Sequence, residues 1–287
     1  MSYDLFFTYR PNAAKPGIGE FRKFFSARPC YEVTEKQATY RNEDTGVSCD
    51  FDLVAGEGDH AAAFNLNYFR PHVFALEAAI EVAAFIKEFD LTVEDPQVEG
   101  MGVGEFSVDG MIRGWNCGNE LAYKAALTVE SRPETVYVLP RGEIDSIWRW
   151  NFKRNSMQEK LGDDILVPKI LFAAEEGQVR TMIAWADAIP ACLPRVDYVT
   201  IPRKRLAPSR WLRRQEDTCL LAWGDLKPVM KHFKPCEGHR PYMRAQYEKA
   251  PEEVVDFVKE LLPATRTLEG MAFESILDKE LVEKVRK

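Results

Sequence analysis

The sequence predicts an α+β fold in which mostly antiparallel sheets are covered by helices. Three β-type runs, at residues 30–34, 37–41 and 47–54, follow one another without a helix between them. Such a meander favours antiparallel over parallel pairing. Two stretches, 73–89 and 142–161, repeat apolar residues at helical spacing and are expected to cover the sheets. With 46% apolar and 29% charged residues, the composition is that of a globular chain and excludes a disordered one.

The first 70 residues predict two strands, a helix and a hairpin. The aromatic-rich run at 3–9 is typical of a strand, and the Arg10-Pro11-Asn12 turn closes it. Apolar residues at helical spacing over 18–25 predict a short amphipathic helix. The Asn, Asp and Gly of segment 42–46 suit the turn of a hairpin, and 61–69 is expected to be the next strand.

Glycine and proline dominate the segment that follows the 73–89 helix. Residues 96–118 contain Pro96 and six glycines, a density that predicts loops and short strands. We therefore expect the next helix to begin at Asn119 and to end near Val129. A short β-type run follows at 135–139.

The second half predicts another meander followed by helices. The pattern returns to strands at 165–172, 179–185 and 197–201. The last predicted elements are an apolar run at 219–223 and helices at 251–262 and 272–285.

Charge divides the chain unevenly. Residues 1–140 contain 22 acids and 12 bases, a net of −10, whereas residues 141–287 contain 23 acids and 26 bases, a net of +3. We expect a boundary near residue 137, with an acidic half at 1–137 and a second half at 138–287; the alternative is a single domain. The overall charge of −7 argues against a dedicated nucleic-acid-binding protein, because phosphate contacts need cations.

The sequence also predicts a cytoplasmic protein that does not span a membrane. Its first residues lack the cationic start, apolar stretch and cleavage site of a signal peptide, and every apolar run is interrupted before 18 residues. The six cysteines form no CxxC pair, so we expect thiols rather than a disulfide framework.

The strongest metal-like cluster is His232, Cys236 and His239, with Cys219 upstream as a fourth ligand. Zinc prefers such nitrogen and sulfur ligands, but the spacing matches no paired zinc pattern. We expect an ordinary turn here, no metal and no cofactor.

No catalytic motif is present. The chain lacks the motifs GxSxG, GxxxxGK[ST] and GxGxxG. If the protein is an enzyme, it is a hydrolase that uses carboxylates or a metal-dependent enzyme, and its site cannot be recognised from the spacing of residues in the sequence. The segment 203–214 has six bases and no acid around Trp211, a composition that binds phosphates and stacks on bases. Glu216 and Asp217 follow directly, and ion pairs with them are the favoured alternative.

Two polar segments are candidate binding sites. The first contributes Asn65, Asn67, Arg70 and His72, and the second contributes Trp115 and Asn116. Such groups recognise polar surfaces where strands or loops end. The alternative is that Asn65 and Asn67 alternate outward on a strand, while Asn116 and Asn119 cap a helix.

Several stretches together carry a resemblance to a known kind of protein. They are MSYDLFF at 1–7, NEDTG at 42–46, FNLNYFRPH at 64–72 with Ala75-Leu-Glu77, VPK at 167–169 and WADAIP at 185–190. The chain resembles a family of uncharacterised bacterial cytoplasmic proteins, in the style of immunity proteins of interbacterial toxin systems. The resemblance implies a binding protein that inhibits a toxin and has no catalytic motif.

The acidic half is the expected contact for such a partner. Turns and loops are usually exposed, so we expect Glu43, Asp44, Glu94 and Asp95 to attract a basic toxin domain. Trp115, beside glycines, is expected to be the aromatic anchor of the interface.

Overall fold

The computed structural model describes residues 1–12, 15–53, 60–128, 135–210, 213–214 and 216–287. The chain divides into two compact units. Unit 1 comprises Met1–Arg141 and Glu274–Lys287, and unit 2 comprises Gly142–Phe273. The C-terminal segment thus lies with unit 1, whereas the expected second half ran unbroken to residue 287.

The predicted α+β class is confirmed, with helices of very different length. The α-helices within the described residues are α1 (Ile18–Ser26), α2 (Val73–Phe89), α3 (Val108–Thr128), α4 (Arg141–Leu161), α5 (Glu252–Glu260) and α6 (Lys279–Val285). Helices α2 and α4 match the predicted helical stretches 73–89 and 142–161. No described helix is both long and apolar enough to cross a bilayer.

Unit 1 contains a seven-stranded antiparallel sheet in the order β2-β3-β4-β5-β1-β6-β7. Its strands are β1 (Ser2–Tyr9), β2 (Tyr31–Val33), β3 (Gln37–Arg41), β4 (Ser48–Asp52), β5 (His60–Asn67), β6 (Leu91–Asp95) and β7 (Gly102–Gly104). The meander β2 to β5 is the predicted one. The sequence pattern missed β6, which pairs with β1.

Two short strands pair the N-terminal segment of unit 1 with its C-terminal segment, and the remaining strands belong to unit 2. In unit 1, β8 (Val138–Leu139) pairs in parallel with the late strand β19 (Leu277–Asp278). In unit 2, the order β15-β12-β10-β9-β18 forms a five-stranded sheet in which only β10 and β12 run parallel among the described pairs. The unit 2 strands are β9 (Leu171–Glu175), β10 (Gln178–Ala184), β11 (Cys192–Pro194), β12 (Tyr198–Arg203), β13 (Ser209–Arg210), β14 (Arg213–Arg214), β15 (Asp217–Ala222), β16 (Phe233–Cys236), β17 (Tyr242–Ala245) and β18 (Glu269–Met271). A second, three-stranded sheet has the order β11-β17-β16, and β13 pairs with β14.

An aromatic core fixes α1 and α2 on one face of the seven-stranded sheet. The ring of Phe85 on α2 lies 5.1 Å from that of Phe7, 5.2 Å from that of Phe21 and 5.4 Å from that of Phe51. Phe25 of α1 lies 4.7 Å from Phe51. Such large side chains dominate the burial of apolar area, so these contacts decide which sheet face is covered.

Helix α3 begins eleven residues before the predicted start at Asn119, and the prediction of loops through residue 118 is wrong there. Gly110, Gly114 and Gly118 recur every four residues and therefore share one helix face. A Cβ on Gly114 would lie 3.1 Å from the backbone of Gly100 and 3.2 Å from the Tyr3 ring. The glycines serve close packing, which outweighs their low helix propensity.

The C-terminal prediction is also corrected. The segment expected to be one helix over 272–285 forms a 3₁₀ turn at Phe273–Ser275, then β19, and only then α6. The backbone of β19 forms its hydrogen bonds with β8, so these residues cannot form the backbone hydrogen bonds of a helix. Pairing with a distant strand is not visible in local periodicity.

Candidate functional site

The seven-stranded sheet of unit 1 has one face covered by helices and one polar face. Side chains along β1, β3 and β4 alternate between buried and partly exposed positions. The buried set meets α1, α2 and α3, for example through Phe7, Phe51 and Tyr3. The opposite set defines what we call the open sheet face: Asp4, Phe6, Glu32, Gln37, Thr39, Arg41, Asp50, Asp52, Asn65, Asn67, Glu94 and Val103.

Strand register aligns acidic and amide side chains across this face. Asp50 on β4 is directly opposite Thr39 on one side and Asn65 on the other, and Asn65 is opposite Asp4. The Thr39 hydroxyl donates to Asp50 Oδ1 at 2.7 Å, and the Asn65 amide donates to Asp4 Oδ1 at 2.6 Å. Cross-strand pairs of this kind fix side-chain direction, so the two carboxylates are held in defined positions.

A neighbouring row places an aromatic ring among carboxylates. Phe6 on β1 is opposite Ala63 and Glu94, and Glu94 is opposite Val103, which is 80% exposed. The His60 ring lies 5.0 Å from the Phe6 ring. The face therefore offers a small apolar centre beside charged groups, the arrangement of an interface anchor and its rim.

Negative charge dominates the open sheet face. Among its members as defined above, five carry carboxylates and one, Arg41, carries a guanidinium. The carboxylates belong to Asp4, Glu32, Asp50, Asp52 and Glu94. Asp52 and Asn67 are exposed, and Asp4 and Asp50 are half-buried. Several like charges on one surface produce a field that attracts a basic partner.

The predicted site residues separate into several places. Asn65, Asn67 and Glu94 lie on the open sheet face, so the expectation that the two asparagines alternate outward is confirmed. Glu43 and Asp44 lie on the turn between β3 and β4, outside that face. Sequence reasoning missed Asp4, Asp50 and Phe6. The alternation of polar and apolar residues along β1 and β4 was the available signal.

The expectation that Asp95 and Trp115 are exposed is wrong. Asp95 is 3% exposed, and its carboxylate accepts hydrogen bonds from the Tyr3 hydroxyl at 2.5 Å and from the Met101 backbone at 2.9 Å. Trp115 is fully buried on α3. Both complete the tight packing around the glycine face of α3, so neither offers a surface to a partner.

Arg70 and His72 lie in a turn that α3 braces. Asn119 is buried within α3 instead of capping it, and its side-chain oxygen accepts the Phe69 N–H at 2.7 Å. Asn116 is half-buried on the same helix, so the helix-cap alternative is wrong for both asparagines. The His72 ring lies 2.5 Å from the carboxylate of Asp278. The structure thus brings Asn119 of the second polar segment into contact with the turn of the first.

The metal-like cluster of unit 2 does not converge. His232 contacts the Glu253 carboxylate at 2.8 Å, and His239 contacts Lys153 at 2.7 Å. The Cys236 thiol faces the Lys234 carbonyl at 3.8 Å. Within the described part of the chain, no group of three His, Cys, Asp or Glu side chains is arranged to hold a metal ion.

The described basic side chains of segment 203–214 form ion pairs within unit 2. Arg203 is fully buried and forms an ion pair with Asp217 at 2.7 Å, so pairing with the following acids is confirmed for this residue. Lys204 and Glu216 lie 3.9 Å apart. The side chains of residues 209–215, Trp211 among them, lie outside the described set.

Asp187 organises the start of this segment. It has a left-handed backbone, with φ at 47°, and its carboxylate accepts the backbone N–H groups of Lys204, Arg205 and Leu206 at 3.0 to 3.1 Å. Burial alone would raise the pKa of Asp187, but these hydrogen bonds outweigh burial and lower it.

The lowered pKa predicts an acid-dependent loss of stability. A depressed carboxylate pKa stabilises the fold above the unfolded pKa of about 3.9, and this contribution disappears as pH falls through the folded pKa. Asp187→Asn should therefore lower the free energy of unfolding at pH 6, and this deficit relative to wild type should shrink towards pH 3. Urea unfolding of the variant and of the wild type at pH 6, 4 and 3 measures the difference. A deficit that stays constant over this range would contradict the assignment.

The chain matches no protein-family model, no curated protein and no solved structure, so its function is argued from its own geometry.

Proposed function

We propose that this chain is an intracellular binding protein of the immunity type, and that its open sheet face contacts a basic domain of a bacterial toxin. The observation that carries the proposal is the open sheet face, where, among the described residues, five carboxylates lie on the same surface as the apolar centre at Phe6. The excess of acids over bases in residues 1–140 and the resemblance to immunity proteins support the same class of function.

Each part of the face has a separate role in binding. The carboxylates of Asp4, Asp50, Asp52 and Glu94 speed the encounter with a basic surface, because complementary charge acts mainly on association. Phe6 takes the role that the sequence assigned to Trp115, since an aromatic side chain at the centre of an interface slows dissociation. Occupying a toxin's active site or interface in this way would inhibit it without catalysis.

The proposal is tested by searching the neighbouring genes for a toxin and measuring binding to the product. The variant Asp4→Asn, Asp50→Asn, Asp52→Asn, Glu94→Gln keeps side-chain shape and removes four charges. At low salt we expect it to associate about tenfold more slowly than wild type, with a weaker salt dependence. Phe6→Ala should instead speed dissociation, with a loss of about 2 kcal/mol in binding free energy. Surface plasmon resonance on an inactivated toxin resolves both rates.

A matched variant removes the same charge from unit 2. Glu159→Gln, Asp163→Asn, Asp164→Asn and Glu237→Gln alter exposed carboxylates and should leave the association rate near that of wild type. Equal slowing in both variants would mean that net charge, rather than the open sheet face, drives the encounter. If the folded open-face variants bind at wild-type rates, the contact is elsewhere, and segment 203–214 is the next candidate.

A further inference from the structure

Unit 1 contains a cleft of about 250 Å³ where three segments meet. They are the turn after β5, the residues leading into β8 and the 3₁₀ turn before β19. Phe69, Val136 and Leu277 form its apolar walls, and Arg70 and Glu274 are its charged lining residues. The volume is below that of pockets for drug-sized ligands, so a small metabolite suits it.

The turn that carries Arg70 is held rigidly. Phe69 adopts a left-handed backbone with φ at 58°, a conformation that costs free energy for an aromatic residue. Asn119 accepts the Phe69 N–H and donates to the Arg70 carbonyl at 2.9 Å, and the Tyr123 hydroxyl donates to that carbonyl at 3.0 Å. These three hydrogen bonds with side chains of α3 therefore fix the backbone of Phe69 and Arg70.

In the part of the chain that the structure describes, most donors of the Arg70 guanidinium have no hydrogen-bond partner. Within the described residues it donates one hydrogen bond, from Nη1 to the Phe69 carbonyl at 3.2 Å. The Glu274 carboxylate lies 3.7 Å from Nη2, an ion pair beyond hydrogen-bonding distance. The Arg70 side chain is 26% exposed, and a guanidinium has five donors that match a carboxylate in a two-point contact. A half-buried guanidinium whose donors are mostly without a described partner is suited to binding an oxyanion.

The opposite charge beside Arg70 restricts the ligand further. Glu274 is 44% exposed and would repel a phosphate or a dicarboxylate, but it can bind an ammonium group. The hydroxyl-bearing residues Thr135, Tyr137 and Ser275 also line the cleft. A ligand whose ammonium and carboxylate groups are bonded to one carbon satisfies Arg70 and Glu274 together.

We propose that this cleft binds a free α-amino acid with an aliphatic side chain. The carboxylate contacts the Arg70 guanidinium, the ammonium group contacts Glu274, and the side chain lies against Phe69, Val136 and Leu277. The proposal is independent of the partner contact on the open sheet face, because it uses none of the residues of that face.

Calorimetric titration of the full chain with three probes tests the ligand class. L-Leucine carries both charges, 4-methylpentanoate only the carboxylate, and 3-methylbutylamine only the ammonium group. We expect L-leucine to bind about tenfold more tightly than either analogue, because each charge-assisted contact adds roughly this factor. Binding of 4-methylpentanoate as tight as that of L-leucine would overturn the assignment of Glu274.

Two variants locate the binding, and a third controls for charge. Arg70→Met and Glu274→Gln should each weaken L-leucine about tenfold. Arg22→Met removes an exposed arginine of α1 and should leave the affinity unchanged. If Arg70→Met does not fold, Glu274→Gln provides the test, because the Glu274 side chain is 44% exposed and tolerates the change. Absence of binding at millimolar L-leucine, or unchanged affinity in Glu274→Gln, would overturn the proposal.

Discussion

Arg203→Met is expected to lower the free energy of unfolding of unit 2 by about 3–5 kcal/mol, because it leaves the partners of a buried charge unpaired. Arg203 is fully buried, and its Nε and Nη2 donate to the two oxygens of Asp217 at 2.7 Å. Its Nη1 donates to three carbonyls at the C-terminal end of α5. They belong to Val258, Lys259 and Leu261, at 2.9 to 3.1 Å.

One side chain therefore ties β12 to β15 and to the end of α5. Carbonyls at a helix C-terminus have no partner within the helix and carry partial negative charge, so a guanidinium there is doubly favourable. Lysine cannot replace it, since an ammonium group lacks the planar fork that reaches Asp217 and the carbonyls together.

Hydrogen exchange of the β12 and β15 amides across a urea series measures this loss within unit 2. Arg205→Met is the matched control, because the Arg205 side chain is 72% exposed and lies 3.7 Å from Asp187. Exposed ion pairs contribute about 0–1 kcal/mol, so the control should stay within that range. A loss for Arg203→Met no greater than for the control would show that the buried contacts add little net stability.

Glu77→Leu is expected to destabilise unit 1 by about 3 kcal/mol or more. Glu77 on α2 is fully buried, and its Oε1 accepts hydrogen bonds from Tyr40 at 2.8 Å, Asn42 at 2.8 Å and Thr45 at 2.9 Å. Leucine would leave the buried hydroxyls of Tyr40 and Thr45 and the half-buried Asn42 amide without this acceptor, at a cost of about 1–3 kcal/mol for each buried hydroxyl. Burial raises the pKa of Tyr40, and the carboxylate of Glu77 raises it further.

Two companion variants separate hydrogen bonding from helix effects. Glu77→Gln retains an acceptor oxygen and should lose less stability than Glu77→Leu. Glu88→Leu changes an exposed position of the same helix and should stay within about 0.5 kcal/mol of wild type. Hydrogen exchange of the β3 and β4 amides provides the measurement. Equal effects of Glu77→Leu and Glu88→Leu would exclude the hydrogen-bond explanation.

Sequence reasoning predicted the elements whose pattern is local. Helix α2 occupies the predicted 73–89, and β3 occupies the predicted 37–41. Segment 42–46 connects β3 and β4 as the hairpin prediction required. In each case neighbouring residues alone determine which face is apolar or where the chain turns, so periodicity and turn residues suffice.

Predictions failed where a distant segment decided the outcome. Six glycines between residues 96 and 118 indicated loops, yet three of them lie on α3, where Gly114 packs against Gly100 and Tyr3. Trp115 and Asp95 were expected on the surface because glycines and charges surrounded them in sequence. Their burial depends on β6 pairing with β1 and on α3 packing against that pair.

The candidate sites show the same division. The sequence by itself determined that residues 1–140 are acidic and that Asn65 and Asn67 point outward along a strand. Only the tertiary structure decided that Asp50, Asn65 and Asp4 are neighbours, and that Asn119 braces the turn of Arg70. Side-chain direction follows from local period, whereas proximity depends on which strands and helices pair, and that is set by burial summed over the whole unit.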